Sequence, residues 1–419
     1  FILATLKMYG DDSLNYGVLL NSNKALEVIM GIFSSVIIAF VFGAFVMWLS
    51  RIVFTFNYRK HSRYSIAIFG GIAFTALSYF IFMKGLGKSP YLPAEWRDYI
   101  DQNLGLLLCI TFVSSAIVME FLHLCRINIF KFTVLMGTFA LAMAFAGNDL
   151  VNFIGVPLAG LSSYQDYMAN ANGAAPDQFM MTSLIDSAKT TPVYLLAAGA
   201  VMIIAMATSK KAQNVIKTSV DLSRQDEGDE MFGSSSAARV IVRNCQATDS
   251  WLKQFMPKAL MNWINSRFDK NDVELEESAA FDVVRAAVNL VLASMLITIG
   301  TNLKLPLSTT YVTFMVAMGS SLADRAWSRE SAVFRVTGVL SVIGGWFITA
   351  GVAFAACAIV CLIMHFGGVG IQSCFMALVI FLLIRSNIKY NKKAKEESKG
   401  STFQLMMRSH DPEIVWDLL

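Results

Sequence analysis

The chain is 419 residues long, 55% hydrophobic and only 15% charged, with a mean hydropathy of +0.55. Average soluble domains carry about a quarter of their residues as charges, so this composition excludes an ordinary soluble globular protein and predicts a polytopic, all-α membrane protein. The net charge of +4 is small and gives no argument for nucleic-acid binding.

In chain order, the opening residues FILATLKM read as the end of a helix whose beginning is missing, which predicts a fragment or processed product, and residues 1–24 are expected to be an extracellular segment. Charge-free windows then predict membrane spans at Val28 to Ser50, Tyr64 to Met83, Gln102 to Met119, Phe132 to Asn148, Thr190 to Ser209, Ala286 to Leu303, Leu305 to Ala323, Val336 to Met364 and Phe366 to Ile384. Basic clusters fall on one side of all these windows: Arg59, Lys60 and Arg63, then Arg126 and Lys131, Lys210, Lys211 and Lys217, Arg325, Arg329 and Arg335, and the run from Arg385 to Lys395. The positive-inside rule makes that side the cytoplasm, with the N-terminal stretch outside and the C-terminal tail inside.

Residues 209–280 form a polar cytoplasmic insert with the acidic run Asp226 to Glu230. Within it Trp251, Leu252, Phe255, Met256, Leu260 and Trp263 recur near helical spacing among Lys253, Lys258 and Arg267, a pattern suited either to the membrane interface or to packing inside the insert. Residues 389–419 are a charged cytoplasmic tail. The cysteines at 109, 125, 245, 357, 361 and 374 have no CxxC pair and read as small core hydrophobes.

Two segments carry chemistry. In AGNDLVNFIGVPLAG, Ala146 to Gly160, Asp149 lies between Asn148 and Asn152 inside an apolar stretch. A carboxylate at the bilayer centre costs roughly 2.5–3.5 kcal/mol on insertion scales, so it survives mainly where it lines a cavity, pairs or binds an ion. Asn148, Asp149 and Asn152 are predicted to point to one side of a helix or helix end and to form a hard, partly anionic cage for Na⁺ or H⁺. Gly147 and Gly155 permit breaks in the backbone, and Pro157 frees a carbonyl upstream.

In the second segment, Thr301 to Trp327, the run Ser308, Thr309 and Thr310 follows Pro306 at the expected first turn of a half-helix. Hydroxyls, free N–H groups and the positive dipole end together capture oxyanions. An anion and a carboxylate about 4 Å apart repel by about 4 kcal/mol at an effective dielectric near 20, so a cation is required between them. Their mutual dependence is the thermodynamic basis of symport. The plain alternatives are a local turn for Gly-Asn-Asp and hydroxyls bonded to carbonyls one turn back for Ser-Thr-Thr. Asp282 and Arg285 read as inner-edge residues.

The strings AGNDLVN, Ala146 to Asn152, and PLSTTY, Pro306 to Tyr311, in this order around a long insert, resemble the GANDVAN-like and PxSTTH-like motifs of the inorganic phosphate transporter (PiT) family. The resemblance covers the layout from Phe132 to Ile384. It implies a secondary transporter rather than an enzyme, built from inverted repeats with broken or re-entrant motif helices around a phosphate site, coupled to Na⁺ or H⁺ and needing no other cofactor. It implies cation-binding roles for Asn148, Asp149, Asn152, Ser308 and Thr309, with Na⁺ at Asp149 and Asn152, and phosphate-binding roles for Asn148, Asp149, Ser308, Thr309 and Thr310. Tyr311 stands where the family has His, and Arg285 and Asn289 stand in the neighbourhood where the family often has a functional Glu.

Residues 1–131 contain neither motif a second time. Residues 25–131 are therefore expected to close a first repeat, with 132–208 and 281–388 forming the motif-bearing second repeat, half of an inverted-repeat transporter. The implied partners are inorganic phosphate, the coupling cation, membrane lipids, the missing first repeat and a second copy of the chain as a homodimer, with no nucleic acid. The implied location is the cell (inner or plasma) membrane. Competing readings are a sulfate or other oxyanion permease on the same scaffold, an intramembrane aspartyl protease, which needs two carboxylates sharing a proton, and an inert membrane subunit.

Overall fold

The structure, a computed structural model, describes residues 5, 8–9, 15–19, 21–56, 63–79, 82, 93–175, 178–179, 191–209, 235–255, 257–268, 282–303, 305, 307–325 and 329–408. Lys304, Pro306, the acidic run 226–230 and the end of the tail from 409 lie outside the described residues, as does the side chain of Asp149. Among the described residues every regular element is helical. The helices are α1 (Ser22–Phe54), α2 (Arg63–Ser78), α3 (Ala94–Gln102), α4 (Leu104–Leu124), α5 (Ile129–Asp149), α6 (Gly155–Asn170), α7 (Pro192–Thr208), α8 (Ser236–Phe255), α9 (Lys258–Arg267), α10 (Val283–Asn302), α11 (Thr309–Ala323) and α12 (Arg329–Arg408), with a π-helical turn at Leu150–Ile154 between α5 and α6.

A helix lies over each of the nine apolar windows, for the reason that makes those windows apolar. In lipid no water is present to satisfy backbone N–H and C=O groups, and a helix satisfies them internally. Among the described residues five helical stretches are long and apolar enough to cross a membrane: Ser22–Phe54, Leu104–Leu124, Ile129–Asn170, Val283–Asn302 and Phe347–Tyr390. Large apolar side chains such as Ile37, Val41, Phe45, Ile110, Ile117 and Phe139 remain exposed along them. Such continuous apolar surface is out of place in water and suits a lipid solvent. Local caps set the boundaries. Asn128 accepts from the backbone N–H groups of Phe130 and Lys131 at 3.0 and 3.2 Å to start α5, and Asp282 accepts from that of Arg285 at 2.9 Å to start α10.

Residues Ser22–Leu340 form one unit. Its closest helix pair is α1 with α11, which run parallel: a Cβ at Gly43 would sit 2.6 Å from the Val316 carbonyl oxygen, and one at Gly319 would overlap the Phe40 carbonyl oxygen. α10 returns antiparallel beside α11, with Arg285 near Asp324 at one end and Gly300 under Leu307 at the other. α5 lies parallel to α10, Gly137 against Leu290. At the end where α1, α4 and α11 finish and α2, α5 and α10 begin, Met47, Phe54, Ile66, Met119, Phe130 and Val284 form the main apolar core. Phe54 meets Phe69 and Phe130 edge-on at centroid distances of 5.3 and 5.2 Å.

The second unit comprises Phe1–Asn21 and Ser341–Leu419. Its described part is the single turn Tyr16–Leu19 and the continuation of α12, interrupted at Gly368. There φ is 59° and ψ is −164°, a conformation essentially reserved for glycine. The kink at Gly368 divides α12 into two helices, close to the boundary between the apolar windows expected at 336–364 and 366–384.

The crossing of α1 and α11 yields a prediction. Gly319→Ala forces a methyl group into backbone and is expected to destabilise by about 1–3 kcal/mol or more, as overpacking does. Gly160→Ala, in open space, is expected to be neutral, and thermal unfolding in detergent checks the contrast.

Candidate functional site

The two motif segments, far apart in sequence, meet. α5 carries Asn148 to its last turn, where the side chain is only 4% exposed and its Nδ2 donates to the carbonyl of Leu307 at 3.2 Å. Leu307 is held from the other side. The backbone turns at the end of α10 with Leu305 N–H donating to the Gly300 carbonyl at 3.0 Å, and Leu307 packs over Gly300 where a Cβ would not fit. Ser308 follows in extended conformation as the N-cap of α11, and its carbonyl accepts from the N–H groups of Tyr311 and Val312, each at 3.1 Å. The N–H groups of the first helical residues, Thr309 and Thr310, then have no intrahelical acceptor by helix geometry and face the junction with the positive end of the α11 dipole.

The candidate side chains do not all share this junction. Asn148 and Thr309 are buried, Ser308 is half-buried without a side-chain capping bond, and Thr310 and Asn152 are exposed. Among the described residues neither Thr310 nor Asn152 hydrogen-bonds to the Asn148–Leu307 pair. Consecutive helical residues turn by about 100°, so three hydroxyls in a row cannot line one face.

Asn148 lies in the last turn of α5 and is buried, whereas Asn152 lies in the π turn that follows and is not. Nor does the backbone unwind between Gly147 and Pro157, where sequence reasoning expected a break. Pro157 falls in the first turn of α6, and the preceding π turn accommodates its missing donor while the helical path continues to Asn170.

About 22 Å away, the length of α11 at 1.5 Å per residue, lies a charge cluster. Arg51, wholly buried near the end of α1, donates from Nε to Asp324 Oδ1 at 2.5 Å and from Nη2 to Asp324 Oδ2 at 2.7 Å. Its Nη1 donates to the Thr55 carbonyl at 2.8 Å, its Nη2 lies 3.3 Å from Asp282 Oδ2, and its guanidinium stacks over the Phe56 ring at 3.9 Å. Arg285 Nη1 is 3.8 Å from Asp324 Oδ2. Two cations and two carboxylates balance. Asp282 is well placed at a helix N-terminus, whereas Asp324 caps the negative end of α11, where a carboxylate is unfavourable without Arg51.

Sequence reasoning placed Asp282, Arg285 and Asp324 at inner edges but missed Arg51 as their partner. The available signal was the lone arginine in FVMWLSRIVFTF, an ion in an apolar run that calls for a counter-ion.

The fold and these two polar centres together define a polytopic helical membrane protein with a buried inter-motif contact at one end and an ion-pair cluster at the other. No family model, curated protein or solved structure matches the chain.

Removing one partner of a buried ion pair leaves the other charge uncompensated and costs about 3–5 kcal/mol. Asp324→Asn and Arg51→Met are each expected to lose stability on that scale. The double substitution Arg51→Met with Asp324→Leu is expected to recover much of the loss, read as a double-mutant cycle from chemical unfolding in detergent.

Proposed function

We propose that this chain belongs to a cation-coupled inorganic phosphate symporter, and that the motif junction is where its ions bind. The observation that carries the reading is the buried hydrogen bond from Asn148 to the Leu307 carbonyl, which puts the Gly-Asn-Asp segment against the first turn of α11. In this reading the hydroxyls of Ser308 and Thr309 and the free N–H groups of that turn hold phosphate oxygens. Asp149, next to Asn148, supplies the negative charge that retains Na⁺ or H⁺ between itself and the phosphate.

At about 22 Å, α11 is shorter than the roughly 30 Å hydrocarbon layer. With Asp324 at one membrane boundary, the hydroxyl run therefore sits beneath the opposite surface, where an anion needs both a helix dipole and a counter-ion. The basic loops favour placing the Asp324 end in the cytoplasm of a cell membrane. Inverted repeats and a partner repeat that completes the site belong to the same proposal.

The aspartyl-protease reading is less well supported. Asp282 and Asp324 do approach one another, but Arg51 contacts both, and carboxylates that each face a guanidinium have no need to share a proton, which is what that chemistry requires.

In proteoliposomes containing the full chain with whatever repeat completes it, Asp149→Asn is expected to lower cation-dependent uptake of labelled phosphate about ten- to hundredfold. That corresponds to the 1.5–3 kcal/mol carried by a hydrogen bond to a charge. Unchanged uptake would mean an inert motif, and uptake of sulfate in preference to phosphate would move the substrate to another oxyanion. Linkage requires a further effect: raising the coupling cation lowers the half-saturating phosphate concentration, and phosphate raises cation affinity by the same factor.

A further inference from the structure

The amphipathic helices α8 and α9 are held at the ion-pair end of the bundle by contacts that fix their depth. Arg267, the last residue of α9, donates to the carbonyl of Ile52 at 2.8 Å, one residue from Arg51. Arg325, next to Asp324, donates to Asn265 at 3.2 Å and stacks on Phe268 at 4.8 Å. The Ser235 backbone N–H, at the start of α8, donates to Thr337 at 3.0 Å. The end of α9 therefore lies at the level where α1 and α11 end, and the start of α8 is tied to α12.

On α9, Leu260, Trp263, Ile264 and Arg267 recur at i, i+3, i+4 and i+7, one helical face. Leu260 and Trp263 on that face are 43% and 49% exposed. Val240 and Ile241 on α8 are exposed as well. The sequence of α8 and α9 supplies Arg239, Arg243, Lys253, Lys258 and Arg267 against a single acid, Asp249. Arg239, Arg243 and Lys258 are exposed. The Arg267 guanidinium lies 5.6 Å from the Trp263 ring. Exposed apolar side chains and exposed cations on the same two helices, with α9 held to the end of α1, match the requirements of an interfacial helix on an anionic leaflet.

We infer that α8 and α9 form a binding surface for anionic phospholipid headgroups, seated on the leaflet at the ion-pair end, with Leu260 and Trp263 entering the acyl boundary. Lipid occupancy there is tied through Arg267 and Arg325 to the backbone beside Arg51 and Asp324. The inference is independent of which ion the protein carries. The rival occupant of this basic face is the acidic run Asp226 to Glu230 of the same insert.

The test uses the full chain in nanodiscs of phosphatidylcholine alone or mixed with phosphatidylglycerol, with amide hydrogen exchange read over residues 236–267. The expected result is slower exchange in the phosphatidylglycerol discs. That protection should be lost by about fivefold for each of Arg239→Gln, Arg243→Gln and Lys258→Gln, and reduced in the unsubstituted protein by added salt. Exchange in α1 and α11 serves as the control that the bundle remains folded. Equal exchange in both lipid compositions overturns the inference. So does protection that is indifferent to lipid charge but vanishes when the carboxylates from Asp226 to Glu230 are replaced by amides, since that assigns the face to the acidic run.

Discussion

Arg51 and Asp324 meet with both side chains fully buried, and the geometry of the bundle depends on that pair. The two residues end parallel helices whose backbones touch through Gly43 and Gly319, so the helices cannot slide along one another without separating the charges. Coulomb attraction in a medium of low polarizability is strong but does not exceed the desolvation of both ions unless every donor finds an acceptor. Arg51 meets that condition by spreading its donors over Asp324, Asp282 and the Thr55 carbonyl. The last contact also holds Thr55 in a left-handed conformation at φ 48°, costly for a β-branched residue, which turns the chain sharply away from α1. One guanidinium thus terminates α1, compensates the carboxylate at the negative end of α11 and holds the N-cap residue of α10.

From that anchor the position of the motif junction follows. α11 leads away from Asp324, and α10 leads away from Asp282 and Arg285, so two helices that start together at the charge cluster arrive together at the turn between them. α5 runs parallel to α10 from the same end and delivers Asn148 to the same level. Two motifs separated by 159 residues therefore meet because three helices share the ion-pair end of the bundle, where α10 begins beside the start of α5 and α11 ends. The junction itself contributes a single neutral hydrogen bond, worth about 1 kcal/mol, so it is positioned by the packing below it rather than by its own strength.

Much of this was legible in sequence, because lipid imposes a simple rule on composition. Each apolar window marked a helix, and the polar islands at 146–152 and 306–311 marked segments that come together through Asn148 and Leu307. What was not legible depended on winding and on partners. A proline at 157 says that something must change upstream but not what, and the change is the π turn at Leu150–Ile154. Likewise Arg51 is visibly out of place in its apolar run, yet its partner lies on a helix reached only after the whole insert. Periodicity along one helix carries no information about which helix stands beside it.

The two polar centres are also energetically unlike, and that difference separates their roles. The charge cluster is internally neutral, with Arg51 engaged by Asp324, Asp282 and the Thr55 carbonyl, so it gains little from any additional ion and acts as a brace. The junction presents helix N–H groups and a half-buried hydroxyl whose capping capacity Ser308 leaves unused. A site left incomplete beside a helix N-terminus gains most from an anion brought from outside, and an anion below the surface of a hydrocarbon layer is stable only with a counter-charge near it. In the proposed reading Asp149, next to Asn148 in sequence, attracts that counter-charge. Cation and anion would then depend on each other because of where they are held, while the distant brace fixes the helices that form the junction.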